Sequence, residues 1–305
     1  EYDIASCLVG SEMCIRDRNC DDDASGRGLK SGGYMPNNLI NKNGLVLLGC
    51  GKMGSALLKG WLADGINAKS INIIEPNPTK WLKKIPEINL NKKLPEAPAV
   101  VVLAVKPQMM KEALSKIKKL RDTEIIFLSI AAGSTIHMFE AELGADSKII
   151  RAMPNTPASV NKGITALIGN NSTTEADIAL SEKLLGAVGQ TVRLTEEAQM
   201  DAVTAISGSG PAYVFYLVEA LAKAGEVQGL SPSLSMKLAR ATIVGAGVLT
   251  ELSLEEPSQL RINVTSPGGT TQAALEVLMD KEIGISPLIN QAVNAAALRS
   301  KELGK

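Results

Sequence analysis

Two glycine-rich stretches, GCGKMG at 49–54 and SPGGTT at 266–271, each run directly into a segment with the apolar spacing of a helix. Glycine lets a ligand reach the backbone. The first N–H groups of a helix have no partner within the helix, so such a junction readily holds an anion. One junction in each half of the chain suits two ligands meeting between two domains. In the first, Gly49 provides the tight turn, Gly51 lets the backbone approach a pyrophosphate, and Gly54 permits close helix-to-strand packing. Glu75 ends the next strand pattern, 21 positions after Gly54, where a dinucleotide's adenosine ribose is normally held.

The elements that must position these residues alternate. GLVLLGCGKMGSALLKGWL from 44 reads as a buried strand, the loop, and a helix with apolar residues at 53, 57, 58, 61 and 62. The pattern continues with strand 71–75, strand 99–105, helix 108–120, strand 124–130, helix 134–143 and strand 148–153. Segments 163–170 and 191–194 extend the sheet to about residue 195. Near-continuous apolar strands between helices imply a parallel sheet covered on both faces, a doubly wound Rossmann-type α/β domain over 35–195. Ligands of such sheets lie beyond the strand carboxyl ends, where AVKPQ (104–108), AAG (131–133) and MPNTPA (153–158) fall. After 196 the chain reads as helix, rich in Ala and Gly. A domain of 110 residues, 196–305, has too few layers to enclose helices apolar on nearly all sides, so an interlocked dimer is expected.

The whole chain has 305 residues, 45% of them hydrophobic, which allows two domains. Lys+Arg and Asp+Glu both number 32, leaving no net basic field for nucleic acid. Apolar runs such as 99–105 and 241–250 fall short of the roughly 18–20 residues a membrane span needs, so a soluble, cytoplasmic protein is expected. Residues 1–34 carry neither core periodicity nor a secretory pattern, and CLVGSEMCIRDR resembles a translated adapter remnant. Met35 is therefore the expected natural start. Setting aside Cys7, Cys14 and Cys20 leaves Cys50, which allows no disulfide framework, and no metal site is expected.

Taken in order, GCGKMG, LAVKPQ, SIAAG, RAMPNTPA, AISGSGPAYVF and VTSPGGTTQAALEVL resemble the pyrroline-5-carboxylate reductase family over about residues 44–300. The resemblance implies a Rossmann domain, an all-helical dimerisation domain, and a site where one subunit's cofactor faces the other's helices. It implies NADPH or NADH as cofactor and 1-pyrroline-5-carboxylate as substrate, reduced to L-proline in the last step of proline biosynthesis. Cofactor positions carry over to Leu48, Gly49, Cys50, Gly51, Lys52, Met53 and Gly54, to Asn91, and to Ala104, Val105, Lys106 and Pro107. Substrate positions carry over to Ser266, Gly268, Gly269, Thr270 and Thr271. The chain departs from many relatives at Leu254, Glu255, Glu256 and Pro257, so a role for a carboxylate there does not carry over. Relatives commonly accept NADPH, whereas Glu75, followed by PNPT without an arginine, predicts good use of NADH.

Reduction of an imine needs a hydride and a nitrogen able to accept charge. The single histidine, His137, reads as a structural or surface residue, and no His/carboxylate pair suggests strong acid–base catalysis. An imine that arrives protonated needs only positioning, by backbone N–H groups and a hydroxyl; Thr271 and Ser266 are the candidates. In isolation, SPGGTT could instead be an ordinary helix start capped by Thr270 or Thr271. A β-hydroxyacid dehydrogenase would need a lysine in SGSGPAYVFYLVEA, where Tyr213 and Phe215 stand. A nucleotide-binding sensor would need neither SPGGTT nor MPNTPA.

Overall fold

The computed structural model describes residues 36–120 and 124–304, so expectations for 1–34 lie outside the described residues. A short helix, α1 (Pro36–Asn43), precedes β1 (Leu45–Leu48), α2 (Lys52–Ala63), β2 (Ile71–Ile74), β3 (Asn89–Leu90) and β4 (Val100–Leu103). Then come α3 (Met110–Ile117), β5 (Ile126–Ser129), α4 (Ile136–Leu143), β6 (Lys148–Met153), β7 (Gly163–Gly169), α5 (Glu175–Gly186) and β8 (Gly189–Arg193). The eight strands form one sheet in the order β3-β2-β1-β4-β5-β6-β7-β8.

Successive strand residues point to opposite faces, and both faces are filled. Leu45, Leu47, Ile71, Ile73, Val100 and Val102 meet α2 and α5 through Leu57, Trp61, Leu180 and Leu184. Val46, Leu48, Val101 and Leu103 meet α3 and α4 through Leu114, Ile117 and Phe139. Trp61, fully buried, donates its indole N–H to the Leu184 carbonyl at 2.8 Å, tying the two helices of one face together.

The expectation of a parallel sheet needs one correction. β7 runs antiparallel to β6, with Ile150 opposite Gly169 and Met153 opposite Ala166. Residues 154–162, folded around a 3-10 turn (Thr156–Val160), are too few for a helical crossover, which takes a dozen or more residues. α5 supplies such a crossover afterwards, and β8 returns parallel to β7. The helix expected over 108–120 is broken into a 3-10 turn (Pro107–Met109), α3, and a second turn (Lys118–Leu120).

From residue 199 onward no strand occurs among the described residues. α6 (Gln199–Val203) passes through a π-helical turn (Thr204–Gly208) into α7 (Gly210–Val227), followed by α8 (Pro232–Leu252), α9 (Pro257–Asn263), α10 (Thr270–Leu278) and α11 (Ile285–Leu303). α7 and α8 cross where Gly225 meets Ser235, and bury Ala222 and Ala239 there. Their other faces stay bare: Tyr216 is 72% and Leu252 75% exposed, with Phe215, Leu238, Val244 and Leu249 alongside. Apolar surface on this scale marks an association face. None of the described helices is long and apolar enough to cross a membrane.

Candidate active site

The first glycine loop has the geometry its spacing predicts. Gly49 lies at φ 89°, and a Cβ there would come within 2.8 Å of the Ala104 carbonyl oxygen. A Cβ on Gly54 would lie 2.5 Å from the Gly49 oxygen. Gly51 differs: apart from its chain neighbours, no atom of the described residues lies within 4 Å of an added Cβ, so packing does not require its glycine. That open cradle stands at the N-cap of α2, which has no side-chain cap, and the N–H groups of Lys52, Met53 and Gly54 have no partner among the described residues. Free donors beside open backbone are what a pyrophosphate requires, so the residues fit a dinucleotide.

Cys50 turns away from that cradle. Its side chain is in the core, its Sγ lies 3.5 Å from Ser55 Oγ, and Ser55 Oγ donates to the Cys50 carbonyl at 2.9 Å. Burial holds the thiol above the usual cysteine range; the Ser55 hydrogen bond offsets part of this and the Glu75 charge adds to it. The Cys50 N–H donates to Glu75 Oε2 at 2.7 Å, and Glu75 Oε1 accepts from Asn77 N at 2.9 Å. Asn91 brackets the Glu75 backbone, accepting from its N–H and donating to its carbonyl, both at 2.9 Å. Beside this network Leu48, Ile74, Pro76, Val105 and Met109 line a small, mostly apolar slot that Glu112 and Lys116 also border.

The other strand-end residues are fixed by the sheet. The Ala104 N–H donates to the Leu48 carbonyl at 2.8 Å, and Lys106, exposed, begins the 3-10 turn led by Pro107. Asn155 of MPNTPA is buried, its Oδ1 accepting from Ile164 N at 3.0 Å. The π-helical turn reaches this end, with the Met153 methyl 2.8 Å from a Cβ built on Gly208. Glu197 links the two halves: its Oε1 accepts from Arg151 Nη1 at 2.6 Å and from the Ile136 N–H at 2.9 Å. Sequence reading gave neither Arg151 nor Glu197 a part, since no local pattern pairs them. His137 is exposed on α4, as expected of a surface histidine.

The second loop holds a surprise in its cap. Gly269, not Thr270 or Thr271, is the N-cap of α10. Gly268, at φ 69°, donates its N–H to Gln272 Oε1 at 2.7 Å, and Gly269 donates to the Ser266 carbonyl at 3.0 Å. These two N–H groups are therefore engaged, and the unpartnered donors among the described residues are the N–H groups of Thr270, Thr271 and Gln272. The hydroxyls of Ser266, Thr270 and Thr271 likewise form no hydrogen bond among the described residues. No hydrogen bond or ion pair joins α9, α10 or this loop to the sheet half among the described residues, and Ser266 to Gly268 are exposed.

Strand order, glycine loop and acidic strand end define a Rossmann-type dinucleotide-binding fold with a helical second half. Residues 197–303 match the family model described as pyrroline-5-carboxylate reductase dimerisation, and residues 44–133 match NADP oxidoreductase, coenzyme F420-dependent. The chain belongs to the pyrroline-5-carboxylate reductase family. It is 39% identical over 266 residues to the pyrroline-5-carboxylate reductase of Pseudomonas aeruginosa, across 86% of this chain and 97% of that one. The structure of the Coxiella burnetii pyrroline-5-carboxylate reductase is similar, with a TM-score of 0.80 and 34% identity, covering 86% of this chain and 99% of that one. That of the Plasmodium falciparum pyrroline carboxylate reductase with NADP bound has a TM-score of 0.75 and 30% identity, covering 87% and 99%. This membership disfavours the hydroxyacid-dehydrogenase and sensor readings. The bare faces of α7 and α8 belong to the matched dimerisation region.

Proposed function

We propose that the chain reduces the cyclic imine L-1-pyrroline-5-carboxylate to L-proline, the last step of proline biosynthesis, using NADPH or NADH in the cytoplasm. The observation that carries this reading is the start of α10, where three hydroxyls and three backbone N–H groups within residues 266–272 have no partner among the described residues. Such a cluster suits a small ligand bearing a carboxylate and a ring nitrogen. The Thr270, Thr271 and Gln272 N–H groups hold the carboxylate, and Gly268 and Gly269 keep side chains out of its path. The Thr271 hydroxyl faces the ring nitrogen, with Ser266 and Thr270 beside it. The imine carries its own proton into the site, so positioning replaces a strong acid.

On the cofactor side, the Lys52, Met53 and Gly54 N–H groups hold the pyrophosphate. Glu75 meets the ribose, and Ala104 to Pro107 bound the nicotinamide end. The bound reduced nicotinamide supplies the hydride. Residues 35–195 serve as the dinucleotide domain and 196–305 as the substrate and dimerisation domain. The SPGGTT loop of one protomer serves the cofactor of another, so the active species is a homodimer or a multiple of dimers, and an active monomer in sedimentation would refute this. Cofactor oxidation with pyrroline-5-carboxylate, compared with reverse oxidation of 2- and 3-hydroxy acids, tests the reaction. L-Proline formation supports it, and turnover confined to hydroxy acids would overturn it.

A further inference from the structure

Glu75 is anchored at four points. Both carboxylate oxygens accept backbone N–H groups, from Cys50 at 2.7 Å and Asn77 at 2.9 Å, and the Asn91 amide grips the Glu75 N–H and carbonyl. Asn91 lies at φ 53°, a left-handed conformation that asparagine tolerates better than most residues. Its own N–H donates to the Ile73 carbonyl at 2.7 Å. The backbone thus aims the Asn91 amide at the end of β2, and its oxygen and nitrogen are each engaged by Glu75.

The consequence is chemical. Each Glu75 oxygen uses one acceptor position on the backbone and keeps another, so the carboxylate presents acceptors in a fixed place to ribose hydroxyls, which are donors. A 2′-phosphate brings negative charge against the carboxylate. A freely rotating glutamate could swing aside to admit it. Here, swinging breaks two charge-assisted hydrogen bonds, and the Asn91 bracket keeps the backbone from shifting instead. Pro76 to Thr79 include no cation, and among the described residues no lysine or arginine pairs with Glu75. Of the two nearest in sequence, Lys69 pairs with Glu87 at 3.1 Å and Lys80 is exposed; Lys92 Nζ donates to Asn89 Oδ1 at 3.3 Å.

The geometry points to a dinucleotide filter in which Glu75 selects NADH against NADPH and Asn91 is the positioning residue that holds Glu75 in place. The inference rests on the functional reading above for the identity of the ligand. It gives Asn91 work done through Glu75, in place of the direct cofactor contact that the family resemblance implies.

Fluorescence titration of NADH and NADPH in the absence of substrate, on the full chain and its variants, tests the filter apart from turnover. The unaltered chain should bind NADH at least about tenfold more tightly, equivalent to about 1.4 kcal/mol. Glu75→Ser should close most of that gap by weakening NADH and strengthening NADPH. Asn91→Gly deletes the amide while keeping φ 53° unstrained, and should weaken NADH several-fold more than NADPH. Asn91→Asp, which keeps the acceptor for the Glu75 N–H but sets an oxygen against the Glu75 carbonyl, should act in the same direction. Equal or tighter NADPH binding by the unaltered chain overturns the filter. Equal weakening of both dinucleotides in both Asn91 variants overturns the positioning role. Binding of neither dinucleotide by the unaltered chain would instead remove the functional reading itself.

Discussion

Thr271→Val isolates one hydroxyl. Valine has nearly the shape of threonine, and the cap of α10 is Gly269 without a side-chain hydrogen bond. The Thr271 hydroxyl has no partner among the described residues, so the substitution removes no internal bond. Stability should therefore change by no more than about 0.5 kcal/mol. If the hydroxyl faces the ring nitrogen, its loss in a site closed to water costs about 1–3 kcal/mol of transition-state stabilisation, a drop of about five- to 150-fold in kcat/KM. Cofactor affinity should hardly move. Steady-state kinetics with pyrroline-5-carboxylate, alongside the thermal midpoint of the same variant, gives both numbers. Intact turnover with a stability loss of about 1 kcal/mol would refute the argument, because that is the pattern of a helix cap. It would shift the catalytic contact to Thr270 or Ser266.

Gly51→Ala adds a methyl where, apart from chain neighbours, no atom of the described residues lies within 4 Å, so its thermal midpoint should match the unaltered chain while dinucleotide affinity in a titration falls about tenfold or more; unchanged affinity would mean that the cradle is not the pyrophosphate site. Glu197→Ala strands Arg151, whose side chain is 8% exposed, and the Ile136 N–H, and should cost about 3 kcal/mol in urea unfolding. A loss below about 1 kcal/mol would show that this link between the halves is dispensable. A chain starting at Met35 should keep its thermal midpoint and turnover, and its single thiol, Cys50, should react with a disulfide reagent only after unfolding, since burial and the Glu75 charge raise its pKa and Ser55 offsets only part. Rapid reaction of the native protein would contradict the buried placement.

The β1–α2–β2 unit was legible because its signals agree: four buried apolar residues, three glycines at fixed offsets, then a helix with one apolar face. β3 was not, because two residues carry no period; pairing with β2 and the left-handed turn at Asn91 define it. The reversal at β7 was hidden because a short, mostly apolar strand reads alike in either direction. The bare helices were legible from composition, since their apolar residues outnumber the faces available in one protomer. Within the site, the motif placed Cys50 and Glu75 beside the cofactor loop but could not show that the thiol turns inward or that the carboxylate is pinned. The pinned carboxylate depends on a contact 25 positions away along the chain. The second loop's glycines and hydroxyls marked the start of α10, while the Gly269 cap and the Gln272 side chain reaching back to Gly268 had no local sequence signal.

In the proposed site the two glycine loops hold a reduced dinucleotide and an imino acid so that hydride passes directly between them. Reduction of pyrroline-5-carboxylate with cofactor deuterated on the transferred face of nicotinamide C4, followed by mass spectrometry of the product, tests it most directly. L-Proline carrying one deuterium at C5 is the expected product. Unlabelled proline, or oxidation of the cofactor without proline, would contradict it.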